Sequence, residues 1–121
     1  MKRYEIWQDA VLRAGPVYIA DTFRARFRGL MLRKSLIPGE GLLLRDCSAI
    51  HCCFMRFPID VVYLDGDMNV VDVETVRPWR LGKCLRGVKH VLELEQGGAA
   101  ELRPGMHLTM KESERLWGIR C

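Results

Sequence analysis

The sequence predicts an α+β domain that is mainly β: one compact unit with a strongly curved, barrel-like, mostly antiparallel sheet and one or two short helices. Three observations lead there. Short apolar segments of strand character outnumber helical ones. The stretch from Ile59 to Glu74 reads as a hairpin. Only one segment, beginning near Thr22, carries a helical apolar spacing longer than a turn.

The hairpin is the clearest element. Ile59, Val61 and Tyr63 alternate with Asp60, Val62 and Leu64, all but Asp60 β-branched, aromatic or apolar. Both faces are apolar, so the strand is expected to be covered on both sides. Pro58 lacks a donor and biases Phe57 to an extended shape, which places it at the start of the strand. Asp65-Gly66-Asp67 supplies the turn, with Gly66 expected at positive φ. Asn69 onward resumes as a strand, Val71 and Val73 toward the core, Asp72 and Glu74 toward water.

Before the hairpin the chain is more varied. Ile6, Trp7, Val11 and Leu12 fit a strand or an extended arm. Gly15-Pro16 breaks the chain, and residues 17–20 read as a short strand. Asp21 and Thr22 are N-cap types, and Phe23, Phe27 and Leu30 follow at helical spacing. A helix is predicted over 22–28, closed by Gly29. Its arginines, Arg24, Arg26 and Arg28, could meet phosphate, but a solvated amphipathic helix is the favoured reading, since scattered surface charge is normal. Residues 37–41 form a turn, and Leu42-Leu43-Leu44 a buried strand.

After Glu74, residues 77–83 are a loop holding Trp79, which could rim a ligand or pack on the sheet edge. Val88, His90, Leu92 and Leu94 alternate with Lys89, Val91 and Glu93 as a further strand. Ala99-Ala100-Glu101-Leu102 fits one helical turn, Arg103-Pro104-Gly105 a tight turn, and residues 106–110 the last strand. One domain over 1–121 is expected, with its core at 17–110 and a charged tail at 111–121.

Three stretches resemble an uncharacterised bacterial and archaeal family, domain of unknown function family 192. Phe54-Met55-Arg56, then Pro58-Ile59-Asp60 and an apolar run ending at Asp65, match its aromatic-Met-basic and Pro-aliphatic-Asp signature. Arg26-Phe27-Arg28-Gly29-Leu30-Met31-Leu32-Arg33 matches its Gly-Leu-Met step, and Val91-Leu92-Glu93-Leu94 with Gly97 a third. The chain departs from the pattern at Ala25, where the family has Glu, at Cys52 and Cys53, where Thr or an aromatic stands, and at Met106, where Asp is usual. The resemblance implies a small β-rich domain and assigns no reaction.

Composition excludes several classes. With 121 residues and 49% hydrophobic side chains, the chain can bury a core without disulfide staples. Nothing approaches the roughly 18 consecutive apolar residues of a membrane span. The first residues lack an apolar signal core, so a cytoplasmic protein is expected, or one from which an export leader has been removed. A net charge of +4 gives no reason to read a nucleic-acid interface. Five cysteines without a Cys-x-x-Cys pair suit reduced thiols. Adjacent Cys52 and Cys53 on a strand point to opposite faces, so with His51, Cys47, Cys84 and His90 they make no evident zinc site. No metal and no cofactor is expected.

Asp60, set inside an apolar run, is the first chemical candidate, because a bare carboxylate there is costly. The structural reading gives it backbone amides or an ion pair with Arg26 or Arg33. The functional reading makes it a ligand-facing acid with Arg26, Arg33 or Arg56 nearby and Glu93 across the sheet; Met55 completes the candidate ligand-binding set. Arg56 and Asp60 lie about 13 Å apart along a strand and do not meet there. The expected function is a binding or accessory module presenting a groove to a small molecule or protein partner. The alternative is an enzyme using Asp60, Glu93 and an Arg.

Overall fold

The computed structural model describes residues 3–20, 39–47, 57–78, 80 and 82–113. The predicted helix at 22–28 and the Gly-Leu-Met step lie outside the described residues. Among the described residues seven strands form one sheet: β1 (Tyr4–Gln8), β2 (Val11–Ala20), β3 (Gly41–Arg45), β4 (Ile59–Leu64), β5 (Val70–Val76), β6 (His90–Glu95) and β7 (Thr109–Glu112). Their order across the sheet is β5-β4-β6-β3-β2-β1-β7. The β2–β3 pairing is parallel and the other five are antiparallel.

This architecture corrects the α+β, barrel-like expectation. Among the described residues there is no helix, and the sheet is open. Residues 105–108 reach β5 and almost close the ring. Gly105 N–H donates to Val70 O (2.8 Å), Val70 N–H to Met106 O (2.8 Å) and Leu108 N–H to Met68 O (2.9 Å). Pairing stops at a single bridge, Asn69 with His107. Pro104 has no N–H to give, and Gly105 turns the backbone at φ 93°, so the segment cannot extend into a ladder. β7 then runs along β1 instead. The helical turn expected at 99–102 is a run of i→i+3 turns: Gly98 N–H to Glu95 O, Ala100 N–H to Gly97 O and Leu102 N–H to Ala99 O. Gly97 and Gly98 ahead of it and Pro104 behind it leave no room for an α-helical bond.

Several boundaries also move. β2 continues through Gly15-Pro16 instead of breaking there, and pairs with β1 as a hairpin. Pro16 is tolerated because the β1–β2 register is irregular there: Tyr4 pairs with Val17 and Ile6 with Ala14, so Gly15 and Pro16 are passed over by the ladder, and Gly15 N–H donates to Gly39 O (2.7 Å) instead. Gly66 is not the positive-φ residue of the β4–β5 turn; Met68 is, at φ 66°. The Asp65 side chain holds that turn, accepting Asp67 N–H and Asn69 N–H, both at 2.9 Å. The last strand begins at Thr109, three residues later than expected, and takes in Lys111 and Glu112.

The core lies on both sides of the sheet. One layer holds Leu44, Ile59, Val61, Tyr63, Val76 and Val91, with Phe57, Leu85 and Val88 packed on it. The other holds Ile6, Val17, Leu43, Val62, Leu64, Leu92 and Leu94, covered by Ala99, Leu102 and Leu108. β4 is buried at all six positions, as its two apolar faces require. Opposite Tyr63 and Leu64 the register of β5 slips at Val71. This bulge turns Asp72 and Glu74 onto the Tyr63 side and Val73 onto the Leu92 side.

Candidate functional site

The register fixes where each candidate acid points. In the β4–β6 ladder Asp60 faces Leu94 and Val61 faces Glu93. Adjacent ladder positions project to opposite faces, so Asp60 and Glu93 lie on opposite sides of the sheet. They do not form a carboxylate pair. Arg26, Arg33, Met55 and Arg56 lie outside the described residues, as do His51, Cys52, Cys53 and Trp79.

Asp60 is 5% exposed, and both its oxygens are engaged. The Thr75 hydroxyl donates to Oδ1 (2.7 Å) from the opposing β5 position. The N–H groups of Gly97 and Ala99 donate to Oδ2 (3.0 and 3.1 Å). Asp60 thereby anchors the turns after β6, whose first amides would otherwise be buried without acceptors. Nothing in this arrangement requires the basic partner expected from the sequence.

Glu93 is the contrasting case. It sits mid-strand on the central β6, between Val61 of β4 and Leu42 of β3, and is 8% exposed. None of the described residues hydrogen-bonds its carboxyl group. Burial alone pushes its carboxyl up to about 8. At neutral pH the group is therefore mostly the protonated acid, able to donate through its O–H and to accept through its carbonyl oxygen.

A polar cluster stands on the same face one strand away. Glu74 pairs with Val61, so Glu74, Val61 and Glu93 form one row across β5, β4 and β6. Two strand spacings separate the Glu74 and Glu93 backbones, about 10 Å. The buried Tyr63 hydroxyl donates to Glu74 Oε2 (2.6 Å). The Lys83 N–H donates to both Tyr63 Oη and Glu74 Oε2, each at 2.8 Å. Burial first, and then the Glu74 carboxylate, push the Tyr63 phenol above its usual range. Lys83 Nζ meets Asp72 Oδ2 at 2.6 Å, which holds the Asp72 carboxyl below the usual range and raises the lysine. Sequence reading placed Asp72 and Glu74 in water and missed this cluster. A bulge at Val71, which shifts both residues to the other face, leaves no mark in the residue pattern.

Among the described residues no group of three His, Cys, Asp or Glu side chains could hold a metal ion, and no helix is long and apolar enough to cross a membrane.

Known proteins share this fold. A Sinorhizobium meliloti protein, provisionally described as a transcription regulator, superposes with a TM-score of 0.77 at 22% identity, covering 90% of this chain and 92% of that one. A Novosphingobium aromaticivorans protein of unknown function gives 0.76 at 20% identity, covering 88% and 83%. Among curated relatives, a UPF0127 protein of Thermococcus sibiricus is 41% identical over 90 residues, 69% of this chain and 56% of that protein. A UPF0127 protein of Pyrococcus horikoshii is 37% identical over 93 residues, 74% of this chain and 81% of that one. The match therefore spans little more than half the length of the Thermococcus relative. The sequence profile of DUF192, described as an uncharacterized ACR, matches residues 6–110, so it reaches back through the β1–β2 hairpin to Ile6. The chain belongs to the DUF192 family.

Proposed function

We propose that the domain is a binding module for a small molecule, and that its site is at Glu93 on β6. The observation that carries this reading is Glu93 itself: a residue nine-tenths buried on a central strand, whose carboxyl group takes no donor from any described residue. A polar group in that position costs stability unless something hydrogen-bonds it. Asp60, equally buried on the other face, has three donors. The fold can supply partners where it uses a carboxylate structurally, and at Glu93 the described residues supply none. Sites that bind ligands are commonly held at such a cost. The enzyme reading that joined Asp60 to Glu93 has no support in the ladder, which sends the two to opposite faces.

A thermal-shift screen of small cationic, neutral and anionic compounds against wild type and Glu93→Gln tests the proposal. Compounds that raise the wild-type melting temperature and lose that effect in the variant are expected. A screen in which every stabilising compound acts equally on both proteins would refute it.

A further inference from the structure

The excess positive charge of the chain sits in one connection. Residues 75–92 carry five cations, Arg77, Arg80, Lys83, Arg86 and Lys89, one at every third position, and no acid. Take those five from the chain's 19 Lys and Arg, and 14 remain against 15 Asp and Glu. A net charge of +4, averaged over the chain, hides this segment. Its course is set by the sheet. β5 and β6 both pair antiparallel with β4, so they run parallel to each other, and the connection between them must return along the length of β4. It passes over the Tyr63 face: the Lys83 N–H donates to the Tyr63 hydroxyl, and Leu85 and Val88 pack into the layer that holds Tyr63 and Val91. With those apolar side chains turned inward, all five cations are exposed. The six residues of β4 span about 17 Å, so the five charges lie along a strip of that order.

Two of the five have acids close by. Lys83 Nζ meets Asp72 Oδ2 at 2.6 Å. Lys89 Cγ lies 3.7 Å from the place a Cβ on Gly66 would take, in the turn flanked by Asp65 and Asp67. Arg77, Arg80 and Arg86 make no ion pair and no side-chain hydrogen bond to a described residue. The Arg80 N–H donates to Arg77 O at 3.1 Å, which keeps these two together at one end of the strip. The three arginines are the uncompensated charge.

We infer that this crossover binds a nucleic-acid strand through its phosphodiester backbone, without regard to base sequence. Guanidinium forks match phosphate oxygens, and cations of this kind read phosphate and not base edges. The charges follow a line. A phosphodiester chain carries a negative charge on every repeat, so it meets such a line in any register, whereas an acidic peptide must place its carboxylates to match. An anionic bilayer is entered by exposed apolar side chains, and the described part of the strip offers none that is large: Leu85 is half-buried on the core and Val88 is buried. This surface is independent of Glu93, which lies under the core layer on β6 and contributes nothing to the strip.

Fluorescence anisotropy of a labelled single-stranded oligothymidylate of about 20 nucleotides, titrated with the full chain, tests this. Saturable binding with a Kd of about 1–100 μM is expected at about 50 mM salt. Log affinity should fall against log salt with a slope of about 2–3, the value for three or four phosphates neutralised on a single strand; this readout needs no variant. The triple variant Arg77→Gln/Arg80→Gln/Arg86→Gln should bind at least about tenfold more weakly, lose about 2 from that slope and keep the wild-type melting temperature. Glu93→Gln should bind the oligonucleotide as wild type does, so failure of this inference and failure of the Glu93 site are told apart. Absence of saturable binding, or a triple variant that binds as tightly as wild type, would overturn the inference. So would polyglutamate competing as well as the oligonucleotide, or binding to phosphatidylserine vesicles by a protein that leaves the oligonucleotide free, because either result gives the strip a partner of another class.

Discussion

Two buried acids, one residue apart in the ladder, behave oppositely. Glu93 keeps its proton to about pH 8 when folded and loses it near 4.5 when unfolded. Between those values the native state binds more protons, so its stability falls as pH rises and levels off above 8. Glu93→Gln, which keeps the shape and removes the titration, is expected to flatten that fall. At about pH 8.5 the variant should melt above wild type, with a gain of at most about 3–5 kcal/mol, and near pH 5 the two should converge. Melting curves at both pH values check this; a variant that melts lower at high pH would show that the carboxylate has a partner. Asp60→Asn should act in the other direction. It places an amide N–H group among three donors, so either Thr75 or the Gly97 and Ala99 amides lose an acceptor. A loss of about 2 kcal/mol, read by chemical denaturation, is expected.

At the scale of elements, the loop after β5 is fastened by Glu74. Its carboxylate accepts both the Tyr63 hydroxyl and the Lys83 amide. Glu74→Ala is expected to raise hydrogen exchange at the Lys83 amide while β4 and β6 stay protected, because those strands are held by their own ladders. Unchanged exchange at Lys83 would refute the fastening. Packing between strands is tighter still at Gly41. A Cβ there would come within 2.7 Å of Leu94 Cδ2 and 3.1 Å of Glu93 O, where β3 crosses β6. Gly41→Ala should therefore cost about 1–3 kcal/mol, measured by the denaturation midpoint. Leu42, its neighbour, was legible as strand from sequence; the reason for Gly41 was not, since it lies in the distance between two chains.

Across the whole molecule, β1 joins the β2 hairpin to the end of the described chain. β7 pairs with Tyr4, Glu5, Ile6 and Trp7, the Ser113 N–H donates to Arg3 O at 2.8 Å, and the Ser113 hydroxyl donates to Glu5 Oε2 at 3.1 Å. A chain ending at Leu108 would uncover the β1 edge and leave buried Glu5 without that hydroxyl. It is expected to melt lower and to associate with concentration through the bared edge, which size-exclusion chromatography at several concentrations reads directly. A truncated chain that stays monomeric with an unchanged melting temperature would overturn this. The sequence by itself determined the family, the β character, and most strands from Leu42 to Leu94, because alternation and Pro or Gly boundaries are local signals. Only the tertiary structure decided that the sheet stays open, that the β5 bulge carries Asp72 and Glu74 to the Tyr63 face, and that Asp60 and Glu93 part company. Those depend on register between strands distant in sequence, and a shift of one residue there exchanges the two faces without changing a single residue type.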